Sequence, residues 1–182
     1  MLLAALTPPE TETAVWKVDP TLSRVTFEVR HLGFVSVAGE FRDYDVDARF
    51  NPGDLGTLSV DASIKVSSID TGDPTRDSYV RKQFFDSDRY PEMTFRSGTV
   101  EWVEGNRASL VGDLTIRSAG LEVVFHVKEM ASACIEGENH VAMEVSTTLE
   151  KRDLPKSLVK GIGSILPFAV KISLDLDLVQ TS

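Results

Sequence analysis

Alternation of apolar and polar residues constrains the fold of this sequence more strongly than any other feature. Apolar residues occupy almost every second position in the segments 25–29, 58–66, 121–127, 141–149 and 168–178. A period of two is the signature of a β-strand with one buried face and one solvated face. Parallel strands, which are covered on both faces, would show continuous apolar runs instead. The sequence therefore predicts an antiparallel sheet along most of the chain.

Short turn signals separate the predicted strands. Gly- and Asn-containing segments at 104–106 and 118–120 indicate hairpins, and one long strand is predicted over 37–50. Within that strand the apolar positions change parity, so an extra residue near Asp43 predicts a β-bulge. Long strands joined in sequence tend to curl and close, which removes exposed edges. We therefore expect an all-β fold, a closed antiparallel up-and-down β-barrel of about eight strands.

Two segments depart from the strand pattern. Residues 71–85 predict a short helix, with Asp73 as the N-cap and Pro74 at the first helical position. Residues 153–167 predict a second short helix or a lid across a barrel mouth. Residues 1–14 are predicted to form a flexible tail, and 15–182 a single barrel domain.

Composition and charge exclude several classes of protein. The chain has 182 residues, of which 42% are hydrophobic, and its net charge is -9. This charge argues against binding nucleic acid, which requires Lys and Arg to neutralise phosphates. No apolar run is long enough to span a bilayer as a helix. Because the N-terminus lacks a basic region, we expect a cytoplasmic protein as the sequence stands, or a periplasmic or secreted one if a leader has been removed.

The sequence offers little that resembles catalytic chemistry. His31, His126 and His140 share no metal-ligand spacing, and we expect the last two to lie on the surface. Cys134 ends an apolar strand pattern and is expected to be a buried, inert thiol. No phosphate-binding loop or nucleophile elbow is present. We therefore predict no metal, no cofactor and no enzymatic activity.

Two alternatives remain open at this stage. The first is an enzyme that acts on a lipid-like substrate at the barrel mouth, with His31 and either Asp77 or Asp86 as its titratable groups. The second is a scaffold without a ligand, in which side chains fill the barrel interior. The alternation of apolar residues alone does not separate a filled barrel from a hollow one.

Several dense motifs resemble those of the YceI-like family of polyisoprenoid-binding proteins. The opening WKVDP at 16–20 and the hairpin motif GDLTI at 112–116 are similar to motifs of that family. The segments 29–34 (VRHLGF) and 37–41 (VAGEF) resemble its opening motif. The most specific signature is the central one, in the segments 68–72 (SIDTG), 76–77 (RD), 84–86 (FFD) and 90–95 (YPEMTF).

The resemblance implies a lipocalin-like barrel that encloses a long isoprenoid lipid of the polyprenyl phosphate or prenylated quinone type. Carriage, storage and sensing are the roles it implies, with the bound polyisoprenoid lipid as the expected ligand. A homodimer is one oligomeric state that it leaves open for the chain.

Inward parity and the mouth motifs together predict the site residues. Arg30, Arg76 and Arg81 are the candidates for contacting a polar headgroup. Trp102 is expected to face inward with the other large side chains. The residues expected to contact the ligand are Phe27, Val29, His31, Phe34, Phe41, Tyr79, Phe84, Phe85, Tyr90, Met93, Phe95, Ile116 and Phe125.

Overall fold

The computed structural model describes residues 13–31, 35–159 and 169–181. Strands make up most of the described chain. They are β1 Ala14–Val18, β2 Arg24–His31, β3 Val35–Phe41, β4 Tyr44–Asn51, β5 Asp54–Lys65, β6 Ile69–Asp70, β7 Glu92–Glu104, β8 Arg107–Ile116, β9 Ala119–Ile135, β10 Glu138–Glu150 and β11 Ala169–Thr181. The helices are α1 Pro74–Tyr79, which continues into a π-helical turn Val80–Phe85, and α2 Lys156–Val159, with 3-10 turns at Val66–Ser68 and Lys151–Asp153.

The sheet closes on itself and forms a barrel with eight strand positions around its circumference. β1 and β2 share the first position, since they pair one after the other with the same edge of β11. β3 and β4 share the second position, and β5 and β6 share the third. Every pairing is antiparallel, and positions that follow each other along the chain are neighbours around the barrel. The prediction of a closed up-and-down β-barrel is confirmed.

The predicted strand over 37–50 is two strands, so the expectation of one bulged strand is wrong. Arg42 and Asp43 separate β3 from β4. The chain changes neighbours at this point, because β3 pairs with β2 and β6 whereas β4 pairs with β1 and β5. Phe41 and Val46 are both buried, so the break restores the inward face as the parity change requires.

The predicted helix over 71–85 begins later than its first residue. The carboxylate of Asp73 accepts hydrogen bonds from the backbone N–H groups of Thr75 and Arg76, and Pro74 opens α1. The π-helical turn then ends at Asp86, whose φ of 50° is left-handed. In the predicted segment 153–167, α2 is described and 160–167 lie outside the described residues. Of the predicted tail, 1–12 also lie outside them, and Ala14 already belongs to β1.

Large side chains pack the end of the barrel at the β4–β5 turn. Trp16, Phe50 and Leu55 are at most 2% exposed. The Trp16 ring stacks on that of Phe50 with a centroid distance of 5.2 Å, and its Nε1 donates a hydrogen bond to the Phe50 carbonyl at 3.1 Å. The indole N–H therefore has the partner that a buried tryptophan needs.

Three side chains lie elsewhere than the sequence predicted. Trp102 is 46% exposed, because it lies an odd number of positions after the buried Phe95 and the two register shifts of β7 between them cancel. Cys134 is exposed, since β9 runs beyond Lys128, its last pairing with β8. His140 lies on the outer face of β10 yet is only 8% exposed, with its Nδ1 2.6 Å from the carboxylate of Asp177. Residues of the 19–23 connection hydrogen-bond to the backbone of Asp177 beside it.

The two tryptophans provide a matched test of the packed end. We expect Trp16→Phe to lower the free energy of unfolding by about 1–3 kcal/mol, because it removes a buried hydrogen bond and leaves a void. The same change at the exposed Trp102 is expected to alter it by less than about 0.5 kcal/mol. Urea denaturation of both variants measures the difference. Equal losses would show that the Trp16–Phe50 contact does not stabilise this end.

Candidate functional site

The barrel interior contains an apolar cavity of about 370 Å³. Side chains from β2 through β11 line it, together with residues of α1 and the π-helical turn. At its far end the lining reaches Ala48 and Leu178, which lie next to β1 in the sheet. Trp16 and Phe50 fill the interior beyond that point and do not line the cavity. The space is thus closed on that side by packed aromatic rings.

Most of the residues predicted to contact a ligand lie around this one cavity. Tyr90 is an exception: its ring lies outside the lining, beside the guanidinium groups of Arg89 at 5.4 Å and Arg117 at 5.9 Å. The side chains of His31 and Phe34 are outside the described part of the structure. The predicted residues that line the cavity are Phe27, Val29, Phe41, Tyr79, Phe84, Phe85, Met93, Phe95, Ile116 and Phe125.

The three candidate headgroup arginines occupy different environments. Arg30 is exposed and lies 3.6 Å from the carboxylate of Glu28. Arg81 donates a hydrogen bond to the carbonyl of Ser67 at 3.2 Å and does not line the cavity. Arg76 does line it. Of the three candidate arginines, Arg76 is therefore the one placed to contact a ligand in the cavity.

Two aromatic clusters occupy the wall of the cavity. In the first, Phe41 lies between Phe27, at a centroid distance of 5.4 Å, and Phe85, at 6.1 Å, and Phe84 packs edge-on against Phe85 at 4.8 Å. In the second, Phe95 meets Phe125 of β9 edge-on, with a distance of 4.9 Å between the ring centroids. Edge-to-face contacts of this kind stabilise both partners beyond the area that they bury.

Two glycines give the rings room against the wall. A Cβ at Gly39 would overlap the ring of Phe27 and lie 3.0 Å from the carbonyl oxygen of Asp70. A Cβ at Gly112 would overlap the carbonyl oxygen of Arg96 and lie 2.6 Å from the ring of Phe95. Since real Cβ atoms are not found this close to other heavy atoms, a side chain at Gly39 would displace a ring, and one at Gly112 would displace a ring and the facing backbone.

The aliphatic part of the lining was not predicted from the sequence. Leu110, Val145, Ile172 and Leu174 all border the cavity. Their inward parity was visible in the sequence, but it marks core residues and lining residues alike. Gln83 was missed as well, and it follows Arg76 at the i+7 position on the same helical face.

A short hydrogen-bond chain holds the polar part of the lining. Asp77 is 6% exposed, and its Oδ1 accepts from the backbone N–H of Thr71 at 3.0 Å and from the Thr71 hydroxyl at 2.6 Å. The Thr71 hydroxyl in turn accepts from Nε of Arg76 at 2.8 Å, and the Thr71 carbonyl accepts from Nη2 at 2.8 Å. The pKa of the Asp73 carboxyl is lowered, chiefly because this carboxylate accepts a hydrogen bond from the backbone N–H of Arg76 at the start of α1.

The described residues contain no group of three or more His, Cys, Asp or Glu side chains that could hold a metal ion. No helix within the described ranges is long and apolar enough to cross a membrane. What these residues do bring together is an apolar space with a fixed guanidinium at one side.

Comparison with known proteins places this fold in a family. The chain is 32% identical over 107 residues to a UPF0312 protein of Photorhabdus laumondii, a match that covers 58% of the chain and 55% of that protein. The chain thus spans little more than half the length of this curated relative.

Solved structures share the fold at low sequence identity. BcnA of Burkholderia cenocepacia aligns with a TM-score of 0.73 at 23% identity, over 88% of this chain and 98% of that one. A polyisoprenoid binding domain from Saccharophagus degradans aligns with a TM-score of 0.65 at 14% identity, over 93% and 100%. The sequence profile of the YceI-like domain matches residues 16–178, nearly the whole chain, so the chain belongs to the YceI-like family.

Proposed function

We propose that this protein binds a long isoprenoid lipid in the barrel interior, for carriage, storage or sensing. The observation that carries the proposal is the cavity itself, whose described lining is apolar apart from a few side chains near α1 and on the strands. A cavity with this lining favours hydrocarbon over any polar solute. It also argues against the alternative of a scaffold whose interior is filled by side chains.

Burial alone supplies enough free energy to retain such a ligand. Apolar surface removed from water contributes about 25 cal/mol per Å², so enclosing a long prenyl chain is worth about 10 kcal/mol or more before ordering costs. Catalytic groups are not required for this. Family membership supports the proposal, as does the solved domain from Saccharophagus degradans, which is described as a polyisoprenoid binding domain.

The proposal includes the absence of enzymatic activity. Of the groups considered for catalysis, Asp77 is buried and bound to Thr71, while Asp86 lies 3.8 Å from the guanidinium of Arg89. Both carboxylates therefore have structural partners within the chain. That the protein binds no nucleic acid also remains a prediction, and a homodimer stays open as one oligomeric state.

Native mass spectrometry of the purified protein, followed by lipid extraction, tests the proposal directly. We expect a co-purifying species whose mass corresponds to a prenyl lipid. Protein that is repeatedly recovered empty, and that does not take up added geranylgeraniol, would contradict the proposal.

A bulky side chain inside the barrel should block binding. Val145 lines the cavity, whereas Val124 is 39% exposed on the outer face of β9. We expect Val145→Trp to weaken geranylgeraniol binding at least about tenfold, because the indole occupies the space of the chain. Val124→Trp makes the same change outside the barrel and should leave the affinity unaltered. Competition against a fluorescent polyene measures the affinity of each variant for geranylgeraniol. Equal affinities of the two variants would indicate that the lipid binds outside the cavity.

Gly39 should control the width of the cavity that is available to the lipid chain. We expect Gly39→Ala to push the Phe27 ring into the cavity and to weaken geranylgeraniol binding about tenfold. The loss should be smaller for a straight-chain alcohol of equal carbon number, because regularly spaced methyl branches make a prenyl chain wider.

The double variant Gly39→Ala/Phe27→Leu serves as the control. It removes the ring that the new methyl group would displace, so we expect most of the affinity to return. Phe27→Leu alone sets the baseline for this comparison. A loss that persists unchanged in the double variant would show that Gly39 acts through the backbone of Asp70 and not through the Phe27 ring.

A further inference from the structure

We infer that Arg76 recognises an anionic oxygen-acid headgroup, such as a phosphate, on the lipid held in the cavity. This inference rests on the proposed function and narrows it to one class of ligand. Arg76 is the one charged residue in the described lining of the cavity. No Asp or Glu lines that described surface with it. The nearby carboxylates of Asp73 and Asp77 are engaged by the start of α1 and by Thr71.

The guanidinium of Arg76 keeps hydrogen-bond donors for a ligand. An arginine side chain has five N–H donors. Thr71 takes two of them, one from Nε and one from Nη2, which leaves three. Among the described residues, Arg76 has no ion-pair partner and no other side-chain hydrogen bond. Asp73 senses its charge, but Oδ1 of Asp73 already caps α1.

The orientation of this guanidinium is fixed before a ligand arrives. Asp77 holds Thr71 through two hydrogen bonds, and Thr71 holds Arg76 through two more. Asp77 is itself buried, so it keeps the Thr71 hydroxyl directed toward its carboxylate and leaves the oxygen free to accept from Arg76. A pre-oriented donor loses little entropy on binding, and its planar fork matches the oxygens of a phosphate or carboxylate.

The same helical face supplies two further polar groups. Tyr79 and Gln83 follow Arg76 at the i+3 and i+7 positions, and both line the cavity. Their hydroxyl and amide groups are donors of the kind that the remaining oxygens of a tetrahedral headgroup accept. Val80 and Phe84 line the cavity as well, so polar and apolar side chains are interleaved along this face. The face thus offers contacts to both parts of an amphipathic ligand.

The test compares two lipids that differ only in the headgroup, geranylgeranyl phosphate and geranylgeraniol. Their affinities for the purified protein are measured by competition against a fluorescent polyene. We expect the protein to bind the phosphate at least about tenfold more tightly than the alcohol, as a charge-assisted contact implies. In Arg76→Gln that preference should fall to about one while the affinity for the alcohol stays within about threefold.

Two arginine variants serve as controls. Arg81→Gln removes the same charge from the same helical segment outside the cavity, and should keep the preference for the phosphate. Arg76→Lys keeps the charge but loses the planar fork, and should keep only part of it. Thermal unfolding of each variant shows whether it retains the fold.

The outcomes separate the inference from the proposed function. Equal binding of the two lipids by the unaltered protein, or an equal loss of both in Arg76→Gln, would overturn the role of Arg76 and leave lipid binding intact. Failure to bind either lipid would overturn both. Inorganic phosphate is the remaining arm: displacement of the polyene by low-millimolar phosphate alone would indicate a site for the free anion and would contradict a lipid headgroup.

Discussion

The pairing of β11 with both β1 and β2 is the constraint on which the rest of this molecule depends. It gives the last strand a partner on its open edge and turns a sheet with two faces into a wall with an inside and an outside. Once the wall is closed, alternate residues of every strand face an enclosed and mostly apolar interior. The apolar half of the sequence then becomes either core or lining, depending only on how far each side chain reaches.

Glycine and aromatic residues decide between those two outcomes. At the closed end, the rings of Trp16 and Phe50 stack on each other from the neighbouring strands β1 and β4 and fill the interior. Nearer α1, Phe27 and Phe95 lie over Gly39 and Gly112, where the wall has no side chain beneath the ring. The same type of residue thus fills the barrel in one layer and leaves it hollow in another.

Much of this architecture was predictable from alternation, because a period of two records which face of a strand is buried. The prediction failed where the period carries no such record. The length of β9 beyond its last pairing with β8 exposes Cys134. His140 has outward parity, but contacts distant in sequence bury it beside Asp177. Parity is local information, and these outcomes depend on neighbouring strands.

The candidate site was predictable to a similar degree. Inward parity located most of its aromatic residues, and the family signature pointed to the helix region. The sequence did not distinguish Arg76 from Arg30 and Arg81, since all three are arginines near the same motifs. The distinction depends on which of them shares Thr71 with Asp77, a relation fixed by the turn that leads into α1.

The glycine positions also bear on how such a barrel diversifies. The radius of the backbone wall depends on the number of strands and their stagger, neither of which a point mutation changes. The free bore inside that wall is a separate quantity, and at Gly39 a single methyl group would alter it. A fold of this kind can therefore be adapted to thinner or thicker ligands through changes of one carbon atom in its lining, while the number and stagger of its strands stay the same.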